Sequence, residues 1–369
     1  MNTLLLNKLS LVNFKNCRES LVEFHPIANC ILGANGQGKT NLLDAIHYLS
    51  FCKSYFNPID SQHILFDEQF FVLQGYFTRE ELSEEVYCGV KKAARKQFKR
   101  NKKEYEKLAD HVGLFPVVMV TPYDAELILD GSEVRRRFTD MVISQTNKNY
   151  LHDLIQYNRL LQQRNAYLKQ AKIQINKALL EIFDYQLIPI NESIYQERKQ
   201  FMVEFLPHFT SVYEQLSGGK EVVSLRYSSQ LNDLDIKQIF EQRHEKDMLA
   251  GHSTGGVHKD DLEFLLGGQP LKKFGSQGQQ KTFLLALKFA QYFYTKEKTG
   301  LMPLLLLDDI FDKLDEFRVS SMLELVCGDS FGQVFLTDTD ASNAHLILKK
   351  LKVEHAVFDV EKGNITKRP

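Results

Sequence analysis

Gly33-Ala34-Asn35-Gly36-Gln37-Gly38-Lys39-Thr40 sets glycines, a lysine and a hydroxyl residue in the spacing G-x-x-x-x-G-K-[ST]. Such a loop turns successive backbone N–H groups inward around phosphate oxygens, and a following helix adds positive partial charge. Lys39 then reaches the β- and γ-phosphates of a nucleoside triphosphate, and Thr40 is a ligand for Mg²⁺. A second element, Pro303-Leu304-Leu305-Leu306-Leu307-Asp308-Asp309, is an apolar run ending in two carboxylates. Beside a phosphate loop this is the form of a metal-holding strand end, with Asp308 on Mg²⁺ directly or through water. A third, Phe274-Gly275-Ser276-Gln277-Gly278-Gln279-Gln280, opens a helix with Phe283, Leu284, Leu287 and Ala290 on one side. Ser276, Gly278 and Gln279 would present a hydroxyl, a glycine backbone and a helix N-terminus to an anion. Alone, this stretch reads equally as a mere glycine-rich N-cap; its place between the other two gives it the anion-binding meaning.

These residues need strands and helices to hold them. Leu4 to Phe14, Glu19 to Phe24 and Ile27 to Leu32 read as strands, the last running into the glycine loop. Leu42, Leu43, Ile46 and Leu49 fall on one face of the helix after it. Phe70 to Phe77, Val86 to Val90 and Pro116 to Val120 are further strand-like runs, the last ending at Thr121-Pro122. From about 133 to 216 the period becomes helical, with Leu151, Leu154, Ile155, Leu160, Leu161 and Leu168 along its spine. Strands return near Val222 to Tyr227, Leu262 to Leu265, Leu304 to Leu307 and Val334 to Thr337, and Ala356 to Thr366 reads as a strand and turn at Gly363-Asn364. The expected organisation is α/β: an N-terminal part over 1–130, an inserted helical lobe over 131–220 and a C-terminal part over 221–369.

A chain of 369 residues with 43% hydrophobic and 25% charged residues can bury a large core. Leu4 to Leu6 is too short an apolar run for a signal peptide, and no stretch approaches the ~20 residues of a membrane helix, so a cytoplasmic protein is expected. Cys17, Cys30, Cys52, Cys88 and Cys327 form no C-x-x-C pair, which leaves them as reduced thiols. A net charge of −1 excludes a uniformly basic nucleic-acid coat but not a local one.

The three elements, in this order, resemble those of the ABC/SMC ATPase superfamily. Further stretches narrow the resemblance to its RecF family over nearly the whole chain. Thr121-Pro122 is similar to that family's I-T-P-E segment, and Arg135-Arg136-Arg137-Phe138-Thr139-Asp140 to its R-R-x-F-L-D. Gln163-Arg164-Asn165-Ala166-Tyr167-Leu168 resembles Q-R-N-x-x-L, and His258-Lys259-Asp260-Asp261-Leu262 resembles H-K-x-D-L. Thr139, Val257 and Tyr123-Asp124 depart from the pattern without touching the nucleotide motifs.

The resemblance implies an ABC-type, SMC-like P-loop ATPase head split by a helical lobe. ATP would close two copies into a homodimer, with Lys39 of one and Ser276 of the other on the same nucleotide. Asp309 stands where such ATPases usually have a Glu that activates water; the shorter side chain implies slow turnover. Asp315, in Asp312-Lys313-Leu314-Asp315, would be the D-loop residue and Thr337 the switch residue. The family's role implies binding to gapped DNA at single-strand/double-strand junctions, DNA-stimulated hydrolysis, and work with RecR and RecO in loading RecA.

The basic run Lys91-Lys92, Arg95-Lys96, Lys99-Arg100, Lys102-Lys103, with Phe98 and Tyr105 nearby, is a candidate DNA surface on a hairpin turning at Asn101. From Lys92, Arg95, Lys96, Lys99, Arg100 and Lys102 two readings stand: phosphate contacts, or a solvated basic loop. Two other function classes compete. A metal-dependent nuclease would use Asp338 and Asp340, though a solvated turn explains that pair and no further acidic domain follows. A soluble subunit of a membrane transporter conflicts with the helical insert.

Overall fold

Residues 28–32, 117–120, 304–307 and 334–338 are buried along their whole length, and this is why they become the parallel core of one sheet. The computed structural model describes residues 3–170, 177–219, 221–310, 322, 325–326, 330–339 and 353–369. In chain order the elements are β1 (Leu4–Phe14), β2 (Cys17–Glu23), β3 (Ala28–Leu32), α1 (Lys39–Phe51), β4 (Phe70–Arg79), β5 (Leu82–Lys91), β6 (Gln97–Arg100), β7 (Lys103–Glu104) and β8 (Val117–Val120). There follow α2 (Glu126–Leu129), α3 (Ser132–Thr146), α4 (Lys148–Gln170), α5 (Lys177–Ser217), β9 (Val223–Ser228), α6 (Ile236–Ala250), β10 (Asp261–Leu266), β11 (Gln269–Pro270), α7 (Leu271–Phe274) and α8 (Gln277–Thr299). The last strands described are β12 (Leu304–Leu307), β13 (Val334–Asp338), β14 (His355–Glu361) and β15 (Asn364–Lys367).

The chain divides into two compact units. The first, formed by 1–124, 215–218 and 281–369, holds two six-stranded sheets. One has the order β15-β14-β3-β13-β12-β8, parallel from β14 to β8, with β15 added as an antiparallel hairpin partner. The other, β2-β1-β4-β5-β6-β7, is antiparallel throughout. Burial alternates along β5, as expected for a sheet covered on one face. Four two-residue hairpin turns, Glu80-Glu81, Asn101-Lys102, Gly267-Gly268 and Lys362-Gly363, have positive φ at both positions, matching the twist of their strands. The last lies one residue earlier than the sequence places it.

The second unit, 125–214 with 219–280, contains α2 to α4, most of α5, the sheet β11-β10-β9, and α6. It thus continues to Gln280, where the sequence expectation set a boundary at 220. The reason is local pairing: β9 and β10 bond antiparallel from Val223↔Leu266 to Ser228↔Asp261, and Asp235 and Gln238 close a capping box on α6 between them.

Two histidines, His47 and His111, are buried, and His258 is half-buried. His47 stacks on Phe51 with ring centroids 4.6 Å apart, His111 Nε2 meets the Leu49 carbonyl at 2.7 Å, and His258 Nδ1 meets the Tyr157 hydroxyl at 2.7 Å. Burial pushes each imidazole down from 6.5 to about 4. The unfolded chain therefore takes up these protons at a higher pH than the folded one. Their contribution is present above 6.5 and lost as pH falls through about 4, on the order of 3 kcal/mol for each ring. Urea-unfolding midpoints taken across this range should drop steadily on acidification; a flat profile would show that the rings charge in the folded state.

Candidate functional site

The carboxyl ends of the parallel strands gather the expected nucleotide residues, the usual ligand position in an open α/β sheet. The loop Gly33 to Gly38 follows β3, and α1 starts at Lys39 with Gly38 as its N-cap at φ 117°. A side chain is disfavoured at that φ. Lys39 is buried, its Nζ donating to the carbonyls of Gly33 (2.8 Å) and Ala34 (3.4 Å), with Asp309 Oδ2 at 4.0 Å.

Asp308 follows β12 and is 3% exposed. Its carboxylate accepts from Thr40 Oγ1 at 2.8 and 3.0 Å and from Thr337 Oγ1 at 2.8 Å. The register explains the second contact: Leu307 pairs with Leu336, so Asp308 and Thr337 are neighbours across β12 and β13. Thr337 Oγ1 also accepts the Asp309 amide at 2.9 Å, which fixes Asp309 in a left-handed conformation at φ 44°. Burial raises the Asp308 pKa, while hydrogen bonds from Thr337 and Thr40 lower it, Asp309 raises it and Lys39 lowers it. A hydroxyl and a carboxylate that already meet are hard oxygen donors of the kind Mg²⁺ accepts, with phosphate and water completing its octahedron.

Two hairpin turns, neither of them part of a nucleotide motif, clamp the loop from outside. Gln37 O accepts from Asn16 Nδ2 (2.9 Å), in the β1–β2 turn, and from Gly363 N (2.8 Å), in the β14–β15 turn. Lys362 N donates to Gln37 Oε1 at 2.6 Å, and Asn41 Nδ2 donates to Asn16 Oδ1 at 2.8 Å. A Cβ on Gly33 would lie 2.5 Å from Val360 O, and one on Gly363 2.2 Å from Asn16 O, so glycine is required at both close approaches. The only sequence signal for this was Gly363.

Ser276 belongs to the second unit and is exposed. It caps α8 reciprocally: Gln279 N donates to Ser276 Oγ (3.2 Å) and Ser276 N to Gln279 Oε1 (2.8 Å). Gln279 Nε2 donates to Glu221 (2.9 Å), and Gly278 sits in the first turn of α8. Asp312 to Asp315 and Asp340 lie outside the described residues, and Asp338 is a buried strand end whose carbonyl accepts from Gly33 N.

The family model for the RecF/RecN/SMC N-terminal domain matches residues 5–363. A DNA replication and repair protein RecF from Phocaeicola vulgatus is 50% identical, covering 99% of each chain. The chain belongs to the RecF family. A RecF of Bacteroides thetaiotaomicron is 47% identical over 98% of both chains. A solved structure of the recombination mediator protein RecF with ATP, in the RecFOR pathway, superposes with a TM-score of 0.89 at 29% identity, covering 99% of this chain and 98% of that one. An Smc head from Pyrococcus furiosus, at 17% identity and a TM-score of 0.58, shares the fold. The fold is that of an SMC-type P-loop ATPase head with an inserted helical lobe.

Apart from Thr121-Pro122, the RecF-like stretches outside the nucleotide motifs enter two largely buried polar clusters of the second unit. Arg135 pairs with Asp261 through Nε (2.8 Å) and Nη2 (2.9 Å), and Arg136 donates to Asp260 O (2.6 Å). Arg198 bridges Asp140 and Asp260 at 2.8 Å each, and Tyr227 donates to Asp260 at 2.6 Å. Arg164, fully buried, binds Asp184 and Asp247 at 2.7 Å, and Asn165 Oδ1 accepts from Ser253. These RecF-family motifs hold the lobe together; Arg137, exposed and paired with Glu133 on its own helix, stands apart.

The basic run separates on the hairpin. Lys96 binds Asp60 (2.8 Å), Cys52 O (2.6 Å) and Tyr48 OH (3.2 Å), and Arg100 pairs with Glu84, so both are committed inside the chain rather than free for phosphate. Lys99 is half-buried over the Tyr87 ring, and Lys102 lines a groove with Glu84 and Glu85. Lys92 and Arg95 are exposed at the β5–β6 turn.

If the hairpin clamp sets the loop, Asn16→Ala should weaken nucleotide binding about tenfold, a loss of ~1.4 kcal/mol in the range of one hydrogen bond. Titration with a fluorescent ATP analogue measures it. An unchanged affinity would mean that Gly363 and Lys362 suffice.

Proposed function

We propose that this chain is an ATP-gated DNA-binding switch of recombinational gap repair and replication restart. The observation that carries the reading is the cluster of Lys39, Thr40, Asp308, Asp309 and Thr337 at the carboxyl ends of the inner parallel strands, in a chain of the RecF family. Backbone amides of Gly33, Ala34, Asn35, Gly36, Gln37 and Gly38 would cradle the phosphates, and Lys39 would leave its loop carbonyls for the β- and γ-phosphate oxygens. Thr40 and Asp308 would hold Mg²⁺, which neutralises charge on the phosphates. Asp309, placed by the amide bond to Thr337, would receive the proton of the attacking water. Its short side chain supports slow hydrolysis.

Closure of two copies would bring Ser276, Gly278 and Gln279 of one onto the γ-phosphate held by the other, with Asp315 and Thr337 reporting its presence. The exposed, helix-capping position of Ser276 supports this: its hydroxyl hydrogen remains available while its oxygen caps α8. ATP would thus favour the closed homodimer on gapped DNA, and hydrolysis would release it. RecR, RecO and RecA are the partners this reading carries from the family. In domain terms, 1–130 and 221–369 would bind and sense nucleotide, with 131–220 as the arm. No helix among the described residues is long and apolar enough to cross a membrane.

Light scattering with ATP and Mg²⁺ tests the switch. Asp309→Asn should accumulate as an ATP-bound dimer that retains gapped DNA, whereas Lys39→Met and Ser276→Arg should stay monomeric. A wild type that binds ATP yet neither dimerises nor holds DNA would end this reading.

The hairpin gives a second test. Replacing Lys92 and Arg95 together by Ala should lower DNA affinity about tenfold and reduce the salt slope by about 2. Lys96→Ala should instead cost stability, because it removes the ion pair to Asp60 and the bond to the Cys52 carbonyl. Salt-dependent anisotropy of a labelled gapped duplex, beside urea melts, separates the two effects. Equal DNA binding by wild type and the double variant would assign that turn to solvent.

A further inference from the structure

Thr121 follows β8 directly, and its Oγ1 is buried with no hydrogen-bond partner. A buried hydroxyl without a partner is destabilising, so its position calls for a physical reason. Nine other buried side-chain atoms among the described residues lack partners, and none of them follows a strand of the parallel sheet.

Its neighbours identify the place. β8 and β12 pair in parallel with Val120 opposite Leu307, and Asp308 N continues the ladder by donating to Val120 O at 2.9 Å. The next residues in register are therefore Thr121 and Asp308. Pro122 keeps Thr121 extended by excluding helical backbone at the residue before it. Side chains in register on parallel strands share a face, so Thr121 and Asp308 lie on one side of the sheet. On the other flank of Asp308, Thr337 occupies the equivalent register position on β13 and bonds Asp308 Oδ1 at 2.8 Å. Thr121, Asp308 and Thr337 thus form a row across the ends of three adjacent strands. Thr40 reaches the middle of that row from α1.

Two of the three hydroxyls around Asp308 are already used by it, and the third is idle. The Thr121 backbone is itself fixed, its N–H donating to Asp124 Oδ2 at 2.7 Å. Asp124 is held in turn by Tyr55 OH (2.5 Å) and the buried Lys288 (2.8 Å). The turn that carries the idle hydroxyl is therefore pinned from behind by a charged network, a costly arrangement for a group with no task.

We propose that Thr121 is a positioning residue of the metal end of the nucleotide site, its hydroxyl bonding the water shell that Mg²⁺·ATP brings beside Asp308. The inference rests on the nucleotide reading above and adds to it a residue that neither the phosphate loop nor the acidic strand end contains. The hydroxyl would be satisfied only in the loaded state, so the cost of its isolation favours Mg²⁺·ATP binding over the empty site.

The test uses the full chain and compares wild type, Thr121→Val and Thr121→Ser. A fluorescent ATP analogue is titrated with Mg²⁺ and, separately, with EDTA, and urea midpoints are taken without nucleotide. In EDTA all three should bind alike within about twofold. Mg²⁺ should tighten binding by wild type and Thr121→Ser, while Thr121→Val should lose about tenfold of that gain. The urea midpoint of nucleotide-free Thr121→Val should rise, since valine removes an unpaired hydroxyl at similar volume. If Thr121→Val gains as much from Mg²⁺ as wild type, the hydroxyl serves only a local water and the proposal fails alone. If wild type binds no nucleotide under either condition, the nucleotide reading fails and takes the proposal with it.

Discussion

A carboxylate with almost no access to solvent is the constraint around which the first unit is organised. Asp308 can remain at the end of β12 only because hydroxyls from α1 and β13 reach it, and those contacts exist only when β12 and β13 are in one register. A shift of one residue would turn Asp308 to the other face and leave Thr40 and Thr337 without their acceptor. The same register sets the Asp309 amide on Thr337 and brings β3, with its glycine loop, alongside β13. A buried carboxylate thereby helps to specify strand order.

Much of this was legible from residue types and spacing. The glycine loop, the two aspartates and the Ser276 cap announce themselves because each is a short contiguous run whose chemistry depends on backbone shape. The all-apolar strands of the parallel sheet were equally plain, being buried on both faces. What stayed hidden depends on distant pairing. Asn16 is an ordinary turn residue until Gln37 and Asn41 are seen beside it, and Thr121 is unremarkable until its register with Asp308 is known. The small sheet of the second unit stayed hidden for a related reason: it pairs strands on either side of α6, and α6 has few apolar residues by which to declare itself.

Charge in the sequence was a poor guide to charge at the surface. Lys96 and Arg100 sit in the densest basic run of the chain yet are spent on Asp60 and Glu84, and Arg135, Arg164 and Arg198 are tied to aspartates within the second unit. Family-typical arginines can reflect the expense of leaving a partner charge buried and unpaired as much as contact with a polyanion.

The strand that leads into the phosphate loop has both of its neighbours far downstream. β3 is flanked by β13 and β14, and Gln37 is clamped by Lys362, 325 positions away. A chain emerging from the ribosome N-terminus first therefore displays the apolar segment Ala28–Leu32 with two open edges until β13 and β14 have followed it. During that interval the glycine loop has its residues but not its shape. The loop takes its clamped shape only after the β14–β15 hairpin has joined the sheet, so its geometry is a product of tertiary folding rather than of the local sequence.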